Sequence, residues 1–203
     1  MKHETLKKEA GFTLLELVVV LALFVMILDI SVSIFISIVK HQRRIFQEQE
    51  FLNQASYIEE YISKALRTSL KDPTGTCIRD GVTAYPGYIY LLTRFTGANY
   101  NGIIFLSDSN VCQEFFLDET DGLLKERKNA WTASETTQEI LSSKFTIENI
   151  RFIINGNSIL NGASDQDARQ PRVTLLMKIK MELDDFFKEK VIQTTVSNRN
   201  LNL

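Results

Sequence analysis

A chain of 203 residues with 44% hydrophobic and 24% charged residues, but only 3 Pro and 9 Gly, has room for one core and is neither collagen-like, mucin-like nor disordered throughout. A formal net charge of −2 offers no broad cationic surface to phosphate backbones, so no direct nucleic-acid contact is expected. With only two histidines, His3 and His41, histidine-based relays and metal sites lack material, so no catalytic residue, metal or cofactor is expected and the chain reads as a non-enzyme.

The averages hide a segregation. Residues 12–39 are almost wholly apolar and carry only two charged side chains, Glu16 and Asp29. About 20 apolar residues in a helix cross the roughly 30 Å hydrocarbon layer, so this segment is long enough to span a membrane. Its uncharged part, 17–28, also has the length of a secretory signal, and Ser31-Val32-Ser33 offers such a signal a cleavage site. The apolar Ile34-Phe35-Ile36 that follows is unlike the polar start of a processed secreted chain, which favours a retained helix. Basic residues on the two sides balance, Lys2, Lys7 and Lys8 against Lys40, Arg43 and Arg44, so flanking charge leaves the orientation open.

The junction Lys7-Lys8-Glu9-Ala10-Gly11-Phe12-Thr13-Leu14-Leu15-Glu16 resembles the prepilin signal shared by type IV pilins and type II secretion pseudopilins. The resemblance implies a leader, residues 1–11, cut by prepilin peptidase on the cytoplasmic side between Gly11 and Phe12, with N-methylation of Phe12. It implies too that the apolar helix stays as an anchor. Glu16 then becomes the fifth residue of the mature chain. In the family that carboxylate meets the N-terminal amine of a neighbouring subunit and sets the stagger of assembly. The competing reading is a carboxylate hydrated at the interface, since an unpaired one inside a membrane costs about 2.5–3.5 kcal/mol. Asp29 has two open readings: contact with another subunit or the assembly platform, or a bent or tilted helix that lets it reach water.

Beyond the apolar segment no Gly or Pro interrupts residues 40–70, and Phe51, Ala55, Ile58, Ile62, Leu66 and Leu70 recur at helical spacing. One helix over 13–70 is expected, its second half amphipathic and packed on a head at 71–203. Many major pilins place a proline in the first half of this helix, and this chain has none before Pro73, which favours a minor subunit.

Asp72-Pro73-Thr74-Gly75 stops the helix, and the period then falls to two. Strands are expected at 87–95, 102–106, 111–117, 123–126, 145–154, 173–181 and 188–196, with a bulge near Glu148-Asn149 and turns at Asp121-Gly122 and Asn155-Gly156-Asn157. The fold class is α+β, a long N-terminal helix on a mostly antiparallel sheet, as in the pilin fold. Gln170-Pro171-Arg172-Val173 and Gln193 to Arg199 look like the endings of J-type minor pseudopilins.

Cys77 and Cys112 are the only cysteines and would lie outside the cytoplasm, where a disulfide is expected over the alternative of two buried thiols. Three patterns are set aside. Gly97 to Gly102 has phosphate-loop glycines but Ile103 in place of the lysine, and reads as a turn. Asp165-Gln166-Asp167 lacks the loop-end glutamate of a calcium site. Trp131 reads as packing rather than an adhesive tip.

The expected function is therefore a minor pilin or pseudopilin, anchored in the bacterial inner membrane with its head outside the cytoplasm. It would join other pilins or pseudopilins in a pilus or pseudopilus, in the envelope or at the cell surface. Its expected partners are prepilin peptidase, the inner-membrane assembly platform, fellow subunits and membrane lipid. The alternative is a single-pass envelope protein whose β-rich domain binds a ligand or a surface.

Overall fold

The computed structural model describes residues 11, 13–97, 99–142, 144–156, 170–183 and 186–199. Helix α1, Leu14–Arg67, is followed by eight strands: β1 Tyr90–Thr96, β2 Asn99–Leu106, β3 Cys112–Asp118, β4 Leu123–Lys128, β5 Thr136–Glu139, β6 Phe145–Asn155, β7 Arg172–Leu183 and β8 Phe186–Ser197. The α+β expectation holds, with the correction that the strands form two antiparallel sheets, β1-β2-β3-β4-β5 and β6-β7-β8, rather than one. The chain divides into two compact units, Met1–Glu50 and Phe51–Leu203.

In the first unit every described residue of α1 is exposed or half-exposed; Leu14 is 83% and Met26 64% exposed. In the second unit the helix buries the stripe Phe51, Ala55, Ile58, Ile62 and Leu66. That stripe shares one core with Ile103, Phe105, Phe115 and Leu124 of the first sheet and with Phe152, Leu175, Met177 and Ile179 of the second. Each buried Phe, Ile or Leu of the stripe contributes about 1.5–3 kcal/mol on leaving water, so the stripe alone commits residues 51–67 of α1 to the head.

The helix ends three residues before its expected limit because its last carbonyls, which have no intrahelical donor, find partners elsewhere. Ser69 Oγ donates to the Leu66 carbonyl at 2.8 Å, Tyr90 Oη donates to the same oxygen, and the Arg199 amide donates to the Arg67 carbonyl at 2.9 Å. Asn198, fully buried, donates through Nδ2 to the Ser69 carbonyl, Ser69 Oγ and Tyr90 Oη. Of the two segments singled out for resemblance, the one at Asn198 is thus fastened to the helix end, and the one at Gln170 is joined to it through the Asn198 carbonyl and the Asn198 amide.

Other boundaries moved for local reasons. Residues 87–89 precede the ladder, and β2 starts at Asn99, so all but the first two residues of the expected turn at 97–102 are strand. Strand β5, Thr-Thr-Gln-Glu, was not anticipated: all four residues are polar and exposed on a sheet edge. Asp121-Gly122 does sit in the β3–β4 connection, with Gly122 at φ 68° and its amide donating to the Asp118 carbonyl. The expected bulge is present as a register shift between Ile147 and Asn149. Asn155-Gly156 does not make a tight hairpin, since β7 begins only at Arg172; Asn157 and the loop with Asp165 and Asp167 lie outside the described residues.

Candidate functional site

The first candidate is the start of α1. Gly11 is exposed and a Cβ built there would meet nothing within 4 Å; Lys7, Lys8 and Phe12 lie outside the described residues. Thr13 caps the helix: its Oγ1 accepts from the Glu16 amide at 3.4 Å and its carbonyl from the Leu17 amide at 3.2 Å. Thr13-Leu14-Leu15-Glu16 has the spacing of a capping box, and a carboxylate in the first turn also suits the positive end of the helix. Glu16 therefore has a local helical role available besides any contact with another chain.

Glu16 and Asp29 are both exposed on α1. At about 100° per residue, 13 positions place them some 140° apart around the axis, so they lie on different faces of the helix. Ser31 Oγ, nearby, is turned back onto the Ile27 carbonyl at 2.7 Å. The helix is long and apolar enough to cross a membrane, and none of its most apolar window is buried.

The second candidate lies in the head, where Cys77 and Cys112 form a disulfide, Cα–Cα 5.3 Å, that ties the segment after α1 to the start of β3. Beside it the first sheet turns one face away from the core. Glu114 stands opposite Arg127 across the β3–β4 ladder, and Thr93 stands opposite Gly102 across β1–β2. Because Gly102 lacks a side chain, Thr93 Oγ1 passes over β2 to donate to Glu114 Oε1 at 2.6 Å; a Cβ at Gly102 would sit 2.4 Å from that hydroxyl.

Arg94 has φ 53°, which breaks the strand alternation and brings its guanidinium onto the same face. It lies 3.7 Å above the Phe116 ring and 3.5 Å from Glu114 Oε1. Arg127 closes the ion pair with Glu114 Oε2 at 2.6 Å and reaches Glu135 at 3.5 Å. Glu114 is 1% exposed, so these partners are what makes its burial tolerable. The guanidinium carbons of Arg79 and Arg127 lie 5.0 and 4.8 Å from the Trp131 ring centre, and Trp131 Nε1 donates to the Cys77 carbonyl at 3.1 Å. Together with Asp80, Phe95 and Tyr100 these side chains line a cavity of about 390 Å³.

On the core face of the same sheet, Glu126 is fully buried and accepts from Tyr61 Oη at 2.9 Å, from Gln113 and from Gln138, which links α1 to β3, β4 and β5. Burial first, then the hydrogen bond to Glu126, pushes the Tyr61 hydroxyl well above its ordinary range. This network is structural. Sequence reading located the pairing of the two cysteines but missed the cavity, whose arginines come from three separate segments; the packing assigned to Trp131 is present, but as one wall of it.

A family model described as the prokaryotic N-terminal methylation motif matches residues 6–28. The match covers the leader junction and the first half of the apolar segment and supports a type IV pilin-like signal. No curated protein and no solved structure matches the chain significantly.

Proposed function

We propose that the chain is a minor type IV pilin or pseudopilin, a structural subunit rather than an enzyme. Prepilin peptidase cuts it between Gly11 and Phe12, and Phe12 is then N-methylated. Residues 12–39 hold it in the bacterial inner membrane, 40–70 lead into the head, and 71–203 form a head outside the cytoplasm. Glu16 directs its entry into a filament with other pilins or pseudopilins through the assembly platform. The observation that supports this reading most is the methylation-motif match at 6–28, running without a break into a helix of spanning length. The endings around Gln170 and Asn198 favour the J-type minor pseudopilin group within that class.

The capping geometry at Thr13 makes a sharper test of Glu16 than deletion of its side chain. Glu16→Gln keeps a residue able to complete a capping box but removes the charge that would pair with an amine. Glu16→Gln and Glu16→Ala should both be cleaved and membrane-inserted, yet cross-link to partner pilins at least about tenfold less, as expected when a pair in low dielectric is broken. Glu16→Asp should be intermediate. If Glu16→Gln cross-links at the wild-type level while Glu16→Ala does not, the residue is a helix cap. A wild-type chain that cross-links to no partner pilin would make the single-pass envelope binding protein the better reading.

A further inference from the structure

The cavity on the outer face of the first sheet takes no part in cleavage or anchoring, and its lining sets three arginines, Arg79, Arg94 and Arg127, against two carboxylates, Asp80 and Glu114. Glu114 is committed to Thr93, Arg94 and Arg127, while Glu135 faces Arg127 and accepts from the Trp131 amide. Asp80 accepts from the amides of Val82 and Thr83 and from Tyr85 Oη. Arg79 is left over. Among the described residues it makes no ion pair or hydrogen bond; it touches the Trp131 ring, and its Nε is shut from solvent without a partner. A guanidinium set 5.0 Å from the centre of an indole ring, with no ion pair of its own, offers its terminal nitrogens to a carboxylate.

Two further observations mark the same spot. Arg94, Asn129 and Trp131 have φ of 53°, 52° and 68°, and strained backbone of this kind gathers where side chains are aimed at a ligand. At the mouth, Phe95 is 62% and Tyr100 39% exposed, with their rings paired at 4.9 Å. Trp, Tyr and Arg around a pocket is the composition of protein-interface hot spots.

We propose that this cavity is a docking pocket for an acidic side chain on an extended peptide segment. The carboxylate meets Arg79, and the neighbouring apolar part of the segment lies against Phe95 and Tyr100. A volume near 390 Å³ suits a side chain, not a helix. In a filament the segment belongs to an adjacent subunit's head, and only that assignment rests on the proposed function.

Trp131 is the only tryptophan, so its fluorescence reports on the cavity directly. The full chain in detergent micelles at low ionic strength should show a saturable change in emission with acetyl-Leu-Glu-Leu-amide, confirmed by calorimetry. Binding should weaken at least about tenfold when the peptide carries Gln for Glu, or when the protein carries Arg79→Gln. Phe95→Ala, at an exposed position that folding does not need, should weaken binding without touching the guanidinium. Equal binding of the Glu and Gln peptides, or unchanged affinity in both variants, would overturn the proposal. So would tighter binding of galacturonate or inorganic phosphate than of the peptide. The titration needs no cleavage, so its failure and that of the prepilin reading are separately visible.

Discussion

Asp72 shows how much one side chain can organise. It is 1% exposed, and its carboxylate accepts from the amides of Thr74, Gly75, Cys77 and Ile78 and from Thr74 Oγ1, at 2.8 to 3.1 Å. Gly75 fits the turn because φ is 69° and a Cβ there would meet Ala84 and the Pro86 nitrogen at 3.0 Å. Burial by itself pushes the Asp72 carboxyl up, but the amides of Ile78, Cys77 and Thr74 more than reverse this and hold it below the usual range. A carboxyl lowered by folding adds stability that is fully present above its unfolded pKa, about 3.9, and is lost as pH falls below that toward the folded value. Asp72→Asn should therefore flatten the fall of thermal stability on the acid side of about pH 4 relative to wild type. Asp72→Ala should cost about 3 kcal/mol or more, since several buried amides lose their acceptor at once. Identical acid-side slopes for wild type and Asp72→Asn would show that the other lowered carboxylates, such as Asp118 and Glu148, account for the whole effect.

At the scale of elements, the segment at 68–89 has almost no regular structure, so its position depends on Asp72, on the disulfide and on two bridges, one of them Leu70 to Leu106. The disulfide spans a sequence separation of 35, for which the loop-entropy account gives about 4 kcal/mol at most. The double variant Cys77→Ala with Cys112→Ala should lower the thermal midpoint by about 10 °C, read by calorimetry or circular dichroism. A midpoint within about a degree of wild type would mean that Asp72 and the core alone secure this segment. What could be read in advance follows the same physics. The helix stripe from Phe51 to Leu66 and the alternation from Val173 to Met181 were legible because each buries one continuous face, and burial imposes a period on the chain. β5 was not, because Thr136 to Glu139 bury nothing and owe their strand conformation to pairing with β4. The cavity was illegible for another reason. Arg79, Arg94 and Arg127 become neighbours only through strand register, one positive φ and the absence of a side chain at Gly102, none of which leaves a local pattern. The methylation motif at 6–28 could be read directly because it is a local pattern of neighbouring residues that needs no fold to assemble it.

At the scale of the whole molecule the two units have opposite solvent demands. The head hides its large apolar side chains in a core shared by helix and both sheets, while α1 from Leu14 to Ile38 leaves Leu, Val, Ile and Phe about half exposed or more. An uncovered apolar surface of that extent needs lipid or other helices around it, and the proposed passage from membrane to filament would supply one or the other at each stage. Within that account Gly11 matters for what it lacks, since the scissile position is to be entered by an enzyme and a branched side chain there should block it. The most direct test is the mass of the N-terminal peptide of the protein purified from bacterial membranes. The account predicts that it begins at Phe12 and is one methyl group heavier than the unmodified peptide, and that Gly11→Val retains Met1 and the whole leader. A wild-type chain that begins at Met1 or at Ile34, or a Gly11→Val chain trimmed normally to Phe12, would contradict it.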